Sequence, residues 1–267
     1  MKEAPFSGLV VTLFERGEAR KSEDNVIAES PLEIIINGQS LVTLLCTPTD
    51  IEDLVIGFLY SEGIIGDVED IEELKIAGGR AEVRIKGELE EYNTGVAWLT
   101  SGCGRHVTWR GRQGNCIYEI KVSFPLKVSP EALIQLVTEL QVGGTLYRKT
   151  RGAHGAALAS PQGILILRED IGRHNAVDKV IGWALRQGIE SYDKMLLTTG
   201  RISSEILYKA ARLQLPLIAS LSVPSDYAVW LAELLGITLV GSARGKRFKV
   251  YSHAWRVFER DVKKEKR

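Results

Sequence analysis

The chain has 267 residues, 45% hydrophobic and 25% charged, with 34 basic residues matching 34 acidic ones. That is ordinary globular composition for one large domain or two modest ones, and the zero formal charge argues against a nucleic-acid binder recruited by bulk charge. No stretch reaches about 18 uninterrupted apolar residues, the N-terminus lacks the apolar core of a signal peptide, and three cysteines make no disulfide framework, so a cytoplasmic protein without membrane segments is expected.

The first clear element is a hairpin. Leu32-Glu33-Ile34-Ile35-Ile36 and Leu41-Val42-Thr43-Leu44-Leu45 flank Asn37-Gly38, a strong short-range turn signal. A helix follows: Thr49 and Glu52 fit a capping box, Leu54, Phe58 and Leu59 mark an apolar face, and Gly63 supplies a stop. Weaker strand signals lie at 74–76 and 82–85. Regular periodicity then fades between Glu88 and Gln113, and a short strand is expected over 117–122.

Ser129-Pro130-Glu131 opens a helix that Gly143-Gly144 ends. Strands and helices alternate from there. Strands are expected over 163–167, 194–198, 217–220, 237–240 and 248–251, with helices over 174–187, 203–213 and 225–235. This pattern predicts an α/β fold with a largely parallel sheet, preceded by a smaller α+β domain. The division is placed at 1–124 and 125–267. The tail over 261–267 is mostly charged and expected to be solvated.

One cysteine has a reactive setting. Cys103 sits in Ser101-Gly102-Cys103-Gly104-Arg105-His106, where cations favour the thiolate and glycines permit close approach. A surface turn that carries a cysteine reads the same way, and the six residues do not separate the two. Cys46 closes the apolar run 41–45 and is expected to pack as a small hydrophobe, while Cys116 opens a strand-like stretch.

In open α/β sheets ligands gather where strands end and helices begin, and free helix amides there suit anions. Three segments have that address: Thr199-Gly200-Arg201-Ile202-Ser203-Ser204, Ser220-Leu221-Ser222-Val223-Pro224-Ser225, and the run Ser242, Ala243, Arg244, Gly245, Lys246 and Arg247 behind Gly241. Phosphate or nucleotide binding is one reading, and ordinary basic turns are the other. Glu169-Asp170-Ile171-Gly172-Arg173-His174-Asn175 could position a ligand or form internal ion pairs. His154, among small residues, could face a pocket or be structural. The chain lacks Cys-x-x-Cys, His-x-Glu, a Walker A motif and Gly-x-Gly-x-x-Gly, so neither a zinc cluster nor those nucleotide loops are expected.

These motifs together resemble the formate dehydrogenase accessory sulfurtransferases, the FdhD family. The resemblance is carried by the run from Glu52 to Ile65, by the run from Glu169 to Lys179, and by Gly200-Arg201 with Ser203-Ser204-Glu205. The basic turn through Arg247 and Tyr251-Ser252-His253 completes it. It implies a C-terminal three-layer domain similar to cytidine deaminase without its zinc site. It also implies sulfur carriage: persulfide sulfur passes from a cysteine desulfurase to the bis(molybdopterin guanine dinucleotide) cofactor of molybdenum, or its tungsten equivalent. Formate dehydrogenase then receives that cofactor.

By the same resemblance Cys103 is the persulfide carrier, the turn from Ser242 to Arg247 binds the cofactor as cargo, and a homodimer is expected. Arg201, Ser203 and Ser204 are further candidates for that pocket. Many members carry Cys-x-x-Cys where this chain has Cys103-Gly104-Arg105-His106, and glycine where it has Arg151. A single thiolate suffices to accept a persulfide sulfur, and His106 could stabilise it as imidazolium. Two other readings are a non-catalytic holder of the cofactor and a nucleotide hydrolase or deaminase.

Overall fold

A computed structural model describes residues 4–87 and 120–257, with the backbone of 98–99 and 107–108. Strands β1 (Phe6–Glu15) and β2 (Glu18–Ile27) form a two-stranded antiparallel arm, which the sequence reading missed. Most of its residues are exposed on both faces, so no apolar alternation marks it.

The expected hairpin is β3 (Ser30–Ile36) with β4 (Gln39–Cys46), turning at Asn37-Gly38. With β5 (Ile71–Ala77) and β6 (Arg80–Ile85) it makes a four-stranded sheet in the order β4-β3-β6-β5. Leu32, Ile34, Ile36, Leu44 and Cys46 point from it onto helix α1 (Ile51–Ser61). Cys46 is buried there with apolar neighbours, as expected.

The expected capping box at the start of α1 does not form. The N-cap is Asp50, in left-handed conformation (φ 51°, ψ 39°), with no side-chain cap. Thr49 Oγ1 instead accepts a hydrogen bond from buried Lys179 Nζ at 3.4 Å. A buried ammonium needs acceptors more than an exposed helix start needs a cap.

Two-residue strands β7 (Trp98–Leu99) and β8 (Val107–Thr108) pair antiparallel. Of the strand expected over 117–122, only 120–122 is described, and it is not a strand. The Val122 amide donates to Leu235 O at 2.8 Å, tying this stretch to the C-terminal half.

That half holds β9 (His154–Ser160), β10 (Gly163–Asp170), β11 (Met195–Thr198), β12 (Leu217–Ser220), β13 (Thr238–Arg244) and β14 (Arg247–Ser252). They form one sheet in the order β10-β9-β11-β12-β13-β14. Only β11-β12 and β12-β13 are parallel; the other three pairings are antiparallel. The sheet is therefore mixed, not largely parallel. The cause is β9, unrecognised in the sequence, which inserts between β10 and β11 and runs against both.

Helices α2 (Pro130–Gly143), α4 (Arg173–Arg186), α5 (Ser204–Arg212) and α6 (Asp226–Leu235) cover the sheet, with short α3 (Thr145–Thr150) beside α2. Alternate strand residues face opposite layers. Leu158, Leu196, Ile218 and Leu239 meet α4, α5 and α6. Ala157, Ala159, Leu197, Ala219 and Val240 meet α2. Ser129 caps α2 as expected, and Ser225, expected as the first residue of a helix, caps α6; each accepts an amide three residues on.

Helix α1 is buried nearly all round, between its own sheet and α4. The two helices cross at glycines. A Cβ built on Gly57 would lie 1.8 Å from Asp178 O, and one on Gly182 would lie 1.9 Å from Asp53 O. Around the crossing, Asp53 binds Arg168 and Arg186, each at 2.7 Å, and Asp178 binds Lys209 and Ser61 Oγ, each at 2.7 Å. Near the end of the described chain, Arg256 is fully buried and donates to the carbonyls of Phe124, Gly236 and Val122. Burial pushes its pKa down to about 10. Among the described residues no helix is long and apolar enough to cross a membrane.

Candidate functional site

Parallel β11, β12 and β13 all end on one edge of the six-stranded sheet, and antiparallel β9 begins there. The three segments picked out in the sequence meet on this edge. Ser220 Oγ donates to Gly200 O at 2.6 Å and accepts the Ser222 amide at 2.9 Å. The Ile202 amide donates to Val223 O at 3.2 Å, and the Ser225 amide returns to Ile202 O at 3.0 Å. The Ser242 amide donates to Ser222 O at 2.7 Å, and Arg244 Nε donates to Leu221 O at 3.0 Å. Short loops are thus locked side by side, each leaving a strand.

The run from Ser242 to Arg247 divides in character. Ser242 holds a left-handed backbone (φ 53°), which costs a non-glycine residue energy and marks a shaped position. Ala243 is buried in the layer against α2. Arg244 is exposed at its head while Nε holds the neighbouring loop. Gly245, Lys246 and Arg247 are exposed where β13 turns into β14. The face offered to a ligand is therefore one strained serine and three cations.

His154 starts β9 on the same edge. Its Nδ1 lies 3.4 Å from Thr199 Oγ1, which also accepts the Gly155 amide at 3.0 Å. Burial, first, and the positive charges of Arg173 and Arg201 push its pKa below the usual histidine value, with Asp170 opposing. The ring is accordingly neutral at pH 7. An NMR titration should place His154 below 6.5. Since the unfolded chain then binds the proton more readily, this residue's contribution to stability is present above about pH 6.5 and is lost as pH falls from there toward the folded value. A His154 pKa above 6.5 would refute this placement.

The run from Glu169 to Lys179 resolves largely into internal bonds. Glu169 caps α3 through the amides of Leu146 (2.8 Å) and Tyr147 (2.7 Å). Asp170, fully buried, takes Lys179 Nζ at 2.7 Å, Asn175 Nδ2 at 3.0 Å and the amides of Gly172 (2.8 Å) and Thr47 (3.0 Å). His174 Nε2 lies 3.4 Å from Glu205 Oε2. Arg173 is not part of this network. Its stem lies across Gly200, where a Cβ would come within 2.9 Å of Arg173 Cβ. Sequence reasoning had Arg173 only as one member of the polar run 169–175 and did not single it out. The available signal was a helix opening on Arg-His without an acidic residue in its first turn.

Cys103, Arg105, His106 and Cys116 lie outside the described residues. A separate concavity of about 680 Å³ lies on the small sheet, lined by Glu72, Glu73, Lys75 and Arg84 among others. Among the described residues its lining holds no cysteine, serine or histidine, and none of it comes from the six-stranded sheet.

The model of the FdhD/NarQ family matches residues 27–258. Bacillus subtilis (strain 168) has a protein named sulfur carrier protein FdhD that is 39% identical over 252 residues, 92% of this chain and 95% of the relative. The Listeria innocua protein of the same name is 38% identical over 91% of this chain and 95% of its own length. That of Staphylococcus aureus (strain MRSA252) is 36% identical over 94% and 96%. A crystal structure from Desulfotalea psychrophila, assigned as a formate dehydrogenase accessory protein, superimposes with a TM-score of 0.79 at 25% identity. That match covers 96% of this chain and 100% of the other.

Proposed function

The chain belongs to the FdhD/NarQ family, and from that premise we propose that it is a sulfur carrier serving the maturation of formate dehydrogenase. The observation that carries this reading is the likeness, over nearly the whole chain, to proteins named sulfur carriers. Cys103 is the carrier thiol. As thiolate it attacks the outer sulfur of a donor cysteine persulfide. The Cys103 S–S bond forms as the donor's breaks, and the donor cysteine leaves as thiolate. The donor is a cysteine desulfurase. Handing the sulfur on as sulfide consumes two electrons, which an external thiol reductant supplies, since Cys103 has no second cysteine three residues on.

The recipient is the molybdenum or tungsten bis(pterin guanine dinucleotide) cofactor, held as cargo on the sheet edge. The strained Ser242 and exposed Arg244, Lys246 and Arg247 suit its phosphates. Arg201 is exposed on the adjacent loop. Two further readings go with this function. The six-stranded mixed sheet between α2 and the α4–α6 layer is a cytidine deaminase-like arrangement, and the protein works as a homodimer in the cytoplasm.

Intact mass spectrometry after incubation with a desulfurase and cysteine tests the thiol. One sulfur mass should be gained, and the gain should vanish in Cys103→Ala. A gain that persists in the variant moves the chemistry to Cys46 or Cys116. Normal formate dehydrogenase activity in cells carrying Cys103→Ala would leave only a cofactor-holding role.

A further inference from the structure

The arm formed by β1 and β2 has two unlike edges. Strand β1 runs from Phe6 to Phe14 without a charge and carries Phe6, Leu9, Val10, Val11, Leu13 and Phe14. Strand β2 carries Glu18, Arg20, Lys21, Glu23 and Asp24. Charged side chains are an ordinary protection for an edge strand, and a near-continuous apolar run marks a strand enclosed by protein. By composition β2 is an edge strand and β1 an interior one, yet the sheet that holds β1 has β2 as its only other strand.

Val10 is 70% exposed and Phe14 75%, and no arm residue belongs to the three apolar clusters. With Leu9, Leu13 and Val26 they leave on the order of 500 Å² of apolar surface in water, the size of patch that marks an interaction site. Among the described residues the body holds the arm at its base. Lys149 Nζ sits 4.9 Å from the Phe6 ring centroid, and a Cβ on Gly152 would lie 2.9 Å from Ile27 Cγ2. The rest projects as a two-stranded ribbon, which is marginal in water until further strands join it.

The backbone fixes which groups face the open edge. The turn Arg16-Gly17, both at positive φ, closes a two-residue hairpin with Glu15 opposite Glu18. The Ala28 amide donates to Pro5 O at 2.9 Å, so the odd-numbered positions of β1 exchange their bonds with β2. The N–H and C=O groups of Phe6, Gly8, Val10, Thr12 and Phe14 therefore point away from β2. These five residues are symmetric about Val10: small Gly8 and Thr12 lie two positions to either side, and Phe6 and Phe14 lie four.

We propose that β1 pairs antiparallel with β1 of a second copy of this chain, across a two-fold axis at Val10, joining two arms into one four-stranded sheet. In that register every outward-pointing residue exchanges bonds with another: Val10 meets its own copy, Gly8 meets Thr12, and Phe6 meets Phe14. No like charges meet, because the charges lie on the two outer β2 strands. Two such patches reach on the order of 1,000 Å², the scale of a specific interface. The inference rests on the homodimer reading above and adds the surface that makes the dimer.

Sedimentation velocity on the full chain, over a wide range of concentration, tests the pairing. The wild type should be a dimer. Val10→Lys and Val10→Glu should each be monomeric where the wild type is paired, with dimer affinity down about tenfold or more, because like charges then meet at the two-fold. Mixed in equal amounts the two variants should pair again, since lysine then faces glutamate. Position 10 is exposed and outside the core, so both variants should keep the circular dichroism spectrum of the wild type. Either variant dimerising as the wild type does overturns the pairing and leaves the homodimer to another surface. A mixture that stays monomeric overturns the two-fold at Val10. Wild type that is monomeric at every concentration overturns both the pairing and the homodimer reading, and leaves the edge to a strand from another protein.

Discussion

Replacing Lys179 with methionine is expected to destabilise the protein by about 3–5 kcal/mol, the range for removing one partner of a buried ion pair. Lys179 and Asp170 are both fully buried and meet at 2.7 Å. The ammonium also donates to Thr47 O at 3.1 Å and Glu169 O at 3.2 Å. Methionine matches the volume but strands the Asp170 carboxylate among donors that only partly balance its charge. Urea denaturation followed by circular dichroism measures the loss as a fall in the midpoint at unchanged slope. Adding Asp170→Asn should recover part of it, because no unpaired charge is then left inside. A single variant that unfolds at the wild-type midpoint would show that the pair contributes nothing net.

Gly57→Ala is the second large effect, expected to cost about 3 kcal/mol or more, at or beyond the usual range for overpacking. The added methyl would sit 1.8 Å from Asp178 O, 2.6 Å from Asp178 C and 2.8 Å from Gly182 N. All three are backbone atoms, so no side chain can swing aside, and α1 and α4 must separate along their length. Gly163→Ala is the control: nothing lies within 4 Å of its Cβ, and its φ is not positive. It should stay within about 0.5 kcal/mol of the parent. Equal midpoints for the two variants would refute the close crossing.

Where local chemistry and tertiary packing agreed, the fold was legible. Asn37-Gly38 marked its hairpin, Ser129 and Gly143-Gly144 bracketed α2, and the helices expected over 174–187, 203–213 and 225–235 lie within a residue or two of their observed ends. The arm β1-β2 was not legible, because β2 is polar on both faces and so has no period to detect. Strand β9 was hidden for the opposite reason. Ala156, Ala157 and Ala159 carry little strand propensity, and they are small because helices press on both faces of the sheet there. Missing β9 made the sheet look parallel.

The candidate site followed the same division. Three strand-end segments could be read as neighbours from topology alone. Arg173 could not be distinguished from Asp170 or Asn175 in the same polar run, since pairing between side chains leaves no mark in a linear pattern. The structure separates them: Asp170 and Asn175 are bonded to each other, and Arg173 is left over.

The glycine crossing of α1 and α4 also bears on how the molecule opens. The four-stranded sheet rests on α1, and α1 rests at backbone distance on α4, which is packed into the six-stranded sheet. Pulling the first sheet away would bare that seam and free Lys179 and Asp170 from Thr47. Both sheets therefore belong to one cooperative unit, and amides in α1 exchange with solvent only through openings nearly as costly as global unfolding. In a single protomer the solvated arm lies outside the three apolar clusters and exchanges cheaply.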